Sequence, residues 1–212
     1  MQSSKIFTPW LALVGLVALS GCGSSDDPYA RLKNPPLITA RLHAVTLVSD
    51  ARAVMEAAAQ AGWRPARLPP NYQQADAVQA SMWGVPVSVA AAVAHFKAAS
   101  PGAPDVLVLQ MPLAARGRVA EAATNRSWFR NVLGTEVPAW PLPGKQPDNV
   151  RVQVWTYAVP SVVAASKRLR ENGIPVTFDP VAITTAYLGD HKTMAIRAPD
   201  GTVVQLVEAA SQ

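Results

Sequence analysis

The chain is short of the residues that most readily betray a chemistry. One cysteine in 212 residues excludes an internal disulfide and any multi-cysteine zinc site. Charged residues make up only 16%, and 19 lysines and arginines against 14 acids leave a mild +5. Adjacent basic residues occur only within Lys167–Arg170, so there is no basic stripe of the kind a nucleic-acid footprint needs. There is no glycine-rich phosphate loop, nucleophile elbow or two-histidine zinc helix. No apolar run reaches the ~20 residues that a membrane-spanning helix requires. What is abundant is apolar: 50% hydrophobic residues exclude whole-chain disorder and suit one domain, or two small modules sharing a core.

The sole cysteine has an informative position. Lys5 precedes an apolar run from Ile6 to Leu19, then come Ser20, Gly21 and Cys22. A core this short reads as a secretory signal rather than a span. Leu19-Ser20-Gly21-Cys22 resembles the bacterial lipoprotein signal, in which the cysteine is acylated and becomes the mature N-terminus. The resemblance implies a signal peptide over 1–21 and lipidation (palmitate among the acyl chains) at Cys22. Gly23, where an aspartate is absent, implies the outer membrane, facing the periplasm. Residues 22–36 are polar and proline-containing, a flexible tether.

From residue 37 the pattern duplicates. Leu42–Val48 is a β-rich run ending in Ser49-Asp50, which reads as a helix cap, and the alanine-rich Ala51–Ala61 closes at Gly62. The same order returns in Val150–Val159, Pro160-Ser161, Val162–Glu171 and Asn172-Gly173, an offset of 110 positions at the strands. Ala103-Pro104-Asp105 through Gln110 likewise echoes Ala198-Pro199-Asp200 through Gln205. Module one (37–112) adds strands at Trp63–Leu68, Val89–Ala99 and Asp105–Pro112, with a Pro/Gln-rich excursion over Pro69–Pro86. Module two (150–212) adds Ile174–Phe178, Ala182–Leu188, Thr193–Arg197 and Val203–Glu208. The connector, 113–149, carries a helix over Val119–Leu133 and then a Pro-rich stretch.

Two β-α-β-β-β modules with the ending Ala198-Pro199-Asp200-Gly201-Thr202-Val203-Val204-Gln205-Leu206-Val207-Glu208 resemble the vicinal oxygen chelate superfamily. That group includes glyoxalase I, the fosfomycin and bleomycin resistance proteins and the extradiol dioxygenases. Arg168–Val176, and His43 standing seven residues before Asp50, are similar to the family's helix exit and opening strand. The resemblance implies an α+β domain over 37–212, with both modules in one cupped mixed sheet whose concave face holds the site. Metal ligands would come from the first and last strand of each module, which carries over to His43, Gln110, Gln153 and Gln205.

One imidazole and three neutral carboxamides offset little of the dehydration of a divalent cation, so no tight metal is expected and any divalent ion is held weakly. Period-2 alternation turns Trp155 and Tyr157 the same way as Gln153, as candidate walls of a ligand pocket, and turns Glu208 away from Gln205. His191 beside Asp190 is expected in a solvated turn, and His95 at the surface. Trp128–Gly134 resembles the family's first-helix ending but falls in the connector.

Three functions follow as expectations. The first is capture of a small, partly apolar molecule at His43, Gln110, Gln153, Trp155, Tyr157 and Gln205, by a monomer or homodimer tethered through its lipid. The second is a metal-dependent lyase, isomerase or dioxygenase. The third is a structural or interaction role in the envelope. None involves nucleic acid.

Overall fold

A computed structural model describes residues 35–68, 77–85, 91–98, 104–111, 126–135, 140–142, 146, 148–185 and 188–209. The expected signal peptide, Cys22 and most of the connector lie outside them. The elements are β1 (Ala40–Val48), α1 (Ala51–Gln60), α2 (Ala77–Trp83), β2 (Ala91–Phe96), β3 (Asp105–Gln110) and α3 (Arg126–Leu133). They continue with β4 (Val150–Ala158), α4 (Val162–Glu171), β5 (Val176–Thr185), β6 (Gly189–Arg197) and β7 (Val203–Ala209).

The seven strands form one mixed sheet in the order β2-β3-β1-β4-β7-β6-β5, open at β2 and β5. β1 and β4 meet antiparallel at its centre. Each has a parallel neighbour on its other side, β3 and β7 respectively, and antiparallel strands complete the flanks. The chain is therefore an α+β protein of glyoxalase-like topology, two repeats related by a pseudo-twofold between β1 and β4.

The two helices after the central strands form for the same local reasons. Asp50 accepts from Arg52 N and Ser161 accepts from Ala164 N, each satisfying a donor that the first helical turn leaves unpaired. Gly62 and Gly173 then end the helices at φ +80° and +74°, a conformation that a side chain disfavours. Second contacts repeat as well. Gln110 Oε1 accepts from Ala51 N at 3.4 Å, and Glu208 Oε2 accepts from Val162 N at 2.9 Å.

Burial divides the sheet into two faces. The outer face packs against the three longer helices. Ala44, Trp155, Tyr157, Met194, Ile196, Val204 and Leu206 meet Trp128, Phe129, Val132 and Leu133 of α3 and Val162, Ala165 and Leu169 of α4. Val48, Ala94, Phe96, Val106 and Val108 meet Ala51, Val54 and Ala58 of α1. The inner face carries Val45, Leu47, Leu107, Leu109, Val154, Ala195 and Val203, covered by Ala80, Met82 and Trp83 of α2 with Val85.

Four expectations are corrected. The strand expected at Trp63–Leu68 reduces to a single bridge, Ala66 to His95. The excursion over Pro69–Pro86 contains α2, a helix the proline-rich flanks conceal. Ile174–Phe178 and Ala182–Leu188 merge into one strand, because Pro180 sits at an irregularity of the edge strand β5, where no ladder donor is required of it. His191 lies on β6 and is buried, rather than in a solvated turn.

Candidate functional site on the inner face

The register shows which sequence positions are true counterparts. His43 pairs with Thr156 while Val45 pairs with Val154, so the twofold exchanges His43 with Val154. Asp50 and Ser161, and Gly62 and Gly173, stand the same 111 positions apart. The sequence offset of 110 is one short, and in a strand a one-residue slip transfers every side chain to the other face. The echo between the last strands slips too. His43 pairs with Asp105 and Val154 with Val203, which makes Gln110 the counterpart of Glu208 and leaves Leu107 opposite Gln205.

Of the four carried-over ligand positions, the structure accordingly brings only two together. His43 and Gln205 are on the inner face, 3% and 0% exposed. Gln153 is on the outer face, where its Oε1 accepts from Thr46 Oγ1 at 2.9 Å and its Nε2 donates to Val45 O. Gln110 is exposed at the start of α1. Trp155 and Tyr157 do share a face with Gln153, as alternation requires, but that face is the helix-packed core. The Arg41 guanidinium lies 5.7 Å over the Trp155 ring. Burial raises the Tyr157 hydroxyl to about 12, against a lowering by Arg41.

His43 and Gln205 belong to a hydrogen-bonded row that crosses the central strands. His43 Nε2 lies 3.3 Å from Thr156 Oγ1, which donates to Gln205 Oε1 at 3.5 Å. Gln205 Nε2 donates to Thr193 Oγ1 at 3.1 Å, and Thr193 Oγ1 donates to Leu206 O. Trp83 Nε1 of α2 donates to the same Gln205 Oε1 at 3.5 Å. Whether the His43 ring nitrogen donates to Thr156 Oγ1 or accepts from it follows from the tautomer of the imidazole. Burial depresses His43 to about 3, opposed by Asp105 and reinforced by His191 and His95.

The two remaining histidines join this face. His95, expected at the surface, is 4% exposed, with its Nε2 3.0 Å from Asp105 Oδ2. Asp105 Oδ1 accepts from Ala98 N at 2.8 Å. His191 Nδ1 lies 2.9 Å from Gly189 O, and its buried Nε2 has no hydrogen-bond partner among the described residues.

Sequence reading missed Thr156, Thr193, Asp105 and Trp83. The signal for the threonines was present in the strand alternation, once its phase is taken from Asp50 and Ser161 rather than from the first apolar residue. Trp83 had no such signal, because nothing local to it points to the sheet.

The donor set does not fit the metal that the resemblance implies. Two of the four stations that the twofold defines carry Val154 and Leu107, and the other two supply one imidazole and one carboxamide. Among the described residues no three His, Cys, Asp or Glu side chains converge as a metal would need.

No model of a protein family and no curated protein sequence matches the chain. Among solved structures it is similar to methylmalonyl-CoA epimerase from Mycobacterium tuberculosis, at 16% identity and a TM-score of 0.44, over 87% of this chain and 96% of that one. It is also similar to a mutant glyoxalase I from Zea mays, at 16% identity and a TM-score of 0.24, over 81% of this chain and 46% of that one. A glyoxalase/bleomycin resistance protein/dioxygenase from Nocardioides gives 15% identity and a TM-score of 0.22, over 82% and 83%. The assignment of the fold rests on the strand order and the twofold register above.

Proposed function

We propose that this chain is a lipid-anchored protein of the bacterial envelope, held at the outer membrane and facing the periplasm. It binds a small, partly apolar molecule against the inner face of the sheet, without a tightly held metal. The observation that carries this reading is the polar row itself. Buried polar groups cost free energy unless fully paired, and an apolar replacement of similar shape is often neutral. Val154 and Leu107 occupy the symmetric stations, so the fold accepts apolar residues there. The polarity of His43, Thr156, Gln205 and Thr193 is thus not demanded by folding, and its contacts at 3.3 and 3.5 Å leave room for stronger ones. The buried His191 Nε2 adds a polar atom with no hydrogen-bond partner among the described residues.

Ligand enters this reading by exchange with α2, so Trp83 is the fluorescent reporter; Trp155, on the outer face, is not. The test is mass spectrometry of small molecules extracted from the purified protein. A compound present near one equivalent, and lost in Gln205→Leu, supports the reading. A clean extract from a protein whose Trp83 emission no metabolite fraction moves would overturn it.

A second reading has its own observation. Trp83 is fully buried against the row, so the inner face is filled by the chain's own side chains. That favours a structural or interaction role in the envelope, and the same clean extract would select it. The metalloenzyme alternative draws no support from the donor set.

A further inference from the structure

Among the described residues three large hydrophobic side chains are exposed, Leu37 at 61%, Val163 at 60% and Val181 at 37%. Val181 pairs with Thr193 and faces the inner side of the sheet, but the other two lie on or beside one helix. Leu37 lines a recess of about 530 Å³ with Arg168 of α4. Val163 lines another, of about 440 Å³, with Lys167, Arg170 and Pro180. α4 lies between them, and its exposed side carries the sequence's densest basic run, Lys167, Arg168 and Arg170. Glu171 and Asp179 pair with Lys167 and Arg170, which leaves the cluster net positive with Arg168 in no ion pair among the described residues.

The chain enters the domain at this place. Pro35 and Pro36 line the same recess as Leu37 and Arg168, thirteen residues after Cys22. Even fully extended, that tether spans at most about 45 Å. Apolar side chains beside long cations, whose stems bury while their heads stay wet, are what a peripheral surface presents to anionic headgroups. A tether turns weak adsorption into an intramolecular step at high effective concentration.

We propose that the exposed side of α4, with Leu37, rests against an anionic bilayer surface and fixes the orientation of the tethered domain. This goes beyond ligand capture and rests on the lipid-anchor reading for its tether alone.

The test uses the full lipidated protein reconstituted into phosphatidylethanolamine vesicles containing either phosphatidylglycerol or phosphatidylcholine. Cys22 is acylated there, so Ala164→Cys on α4 places a single nitroxide on the proposed face and Val181→Cys on β5 places one on the opposite side of the sheet. The expected result is a severalfold drop in relaxation by a water-soluble nickel chelate at position 164 only. It requires phosphatidylglycerol and disappears in Lys167→Glu/Arg168→Glu. Equal accessibility of position 164 in both lipids would overturn the proposal. So would protection found in native envelopes but not in the vesicles, which would assign the face to a protein. Mass analysis of the N-terminal peptide reports the anchor separately. If Cys22 is unmodified, co-sedimentation of the unlabelled protein with phosphatidylglycerol vesicles supports the face, and its absence refutes it.

Discussion

The two halves of the sheet are built alike and furnished differently. Each has a capped helix after its central strand, a glycine that ends that helix, and a last-strand side chain that closes the helix start. On the inner face the likeness stops. The opening strand of the first half carries His43 where the second carries Val154, and the last strand of the second carries Gln205 where the first carries Leu107. The backbone plan is therefore held by the repeated elements, while the inner face is free to differ. In its central strands, among the described residues, it is polar along the diagonal His43, Thr156 and Gln205 and apolar at Val154 and Leu107. That diagonal suits recognition of a ligand by hydrogen bonds better than enclosure of a cation.

The comparison can be broken most severely at the apolar stations. Val154→His places an imidazole among Val45, Ala195 and Val203, and should cost about 3 kcal/mol or more in urea unfolding. The mirror change, His43→Val, should cost about 1 kcal/mol or less at pH 7, because the imidazole it removes is already neutral. Comparable losses from both would show that the row is structural.

Acid should separate the halves as well. His43 titrates near 6.5 when unfolded and about 3 when folded. Between those values the unfolded chain binds the additional proton, so stability is full above pH 6.5 and falls as pH drops toward 3. The slope from this group is about 1 kcal/mol per pH unit. Chemical denaturation at about pH 7 and about pH 5 should show it in the parent and find it reduced in His43→Val.

At the helix starts the difference is smaller. Glu208 places a carboxylate at α4 and Gln110 a neutral amide at α1. Glu208→Ala should cost about 1 kcal/mol and Gln110→Ala about half as much, with only the former reduced by salt. The glycines should show no difference. Gly62 and Gly173 both have positive φ and open space at the Cβ position, so Gly→Ala should cost about 1 kcal/mol at each. Unequal thermal shifts between those two variants would contradict the proposed equivalence.

Much of this plan was legible in the sequence, and the errors have two causes. The caps Asp50 and Ser161 and the ends Gly62 and Gly173 located both helices, since those signals act within a turn of the chain. Facing is a matter of parity. Offsets taken from apolar runs were wrong by an odd number, which moved Gln153, Trp155 and Tyr157 to the inner face in the reading and left Thr156 unnoticed. His95 and His191 looked solvent-exposed because their burial depends on pairing and packing with distant residues: Asp105 on the neighbouring strand, and the opposite strands β5 and β7. α2 was invisible for the same reason. Its burial against the sheet is tertiary, whereas the prolines that flank it are local.

The central claim is that the polar diagonal serves a ligand and not a metal. The most direct measurement is elemental analysis of the protein after incubation with Zn²⁺, Fe²⁺, Mn²⁺ and Ni²⁺, alongside His43→Val. The account predicts no stoichiometric metal in either. About one equivalent in the parent, lost in His43→Val, would contradict it and return His43 and Gln205 to a metal site.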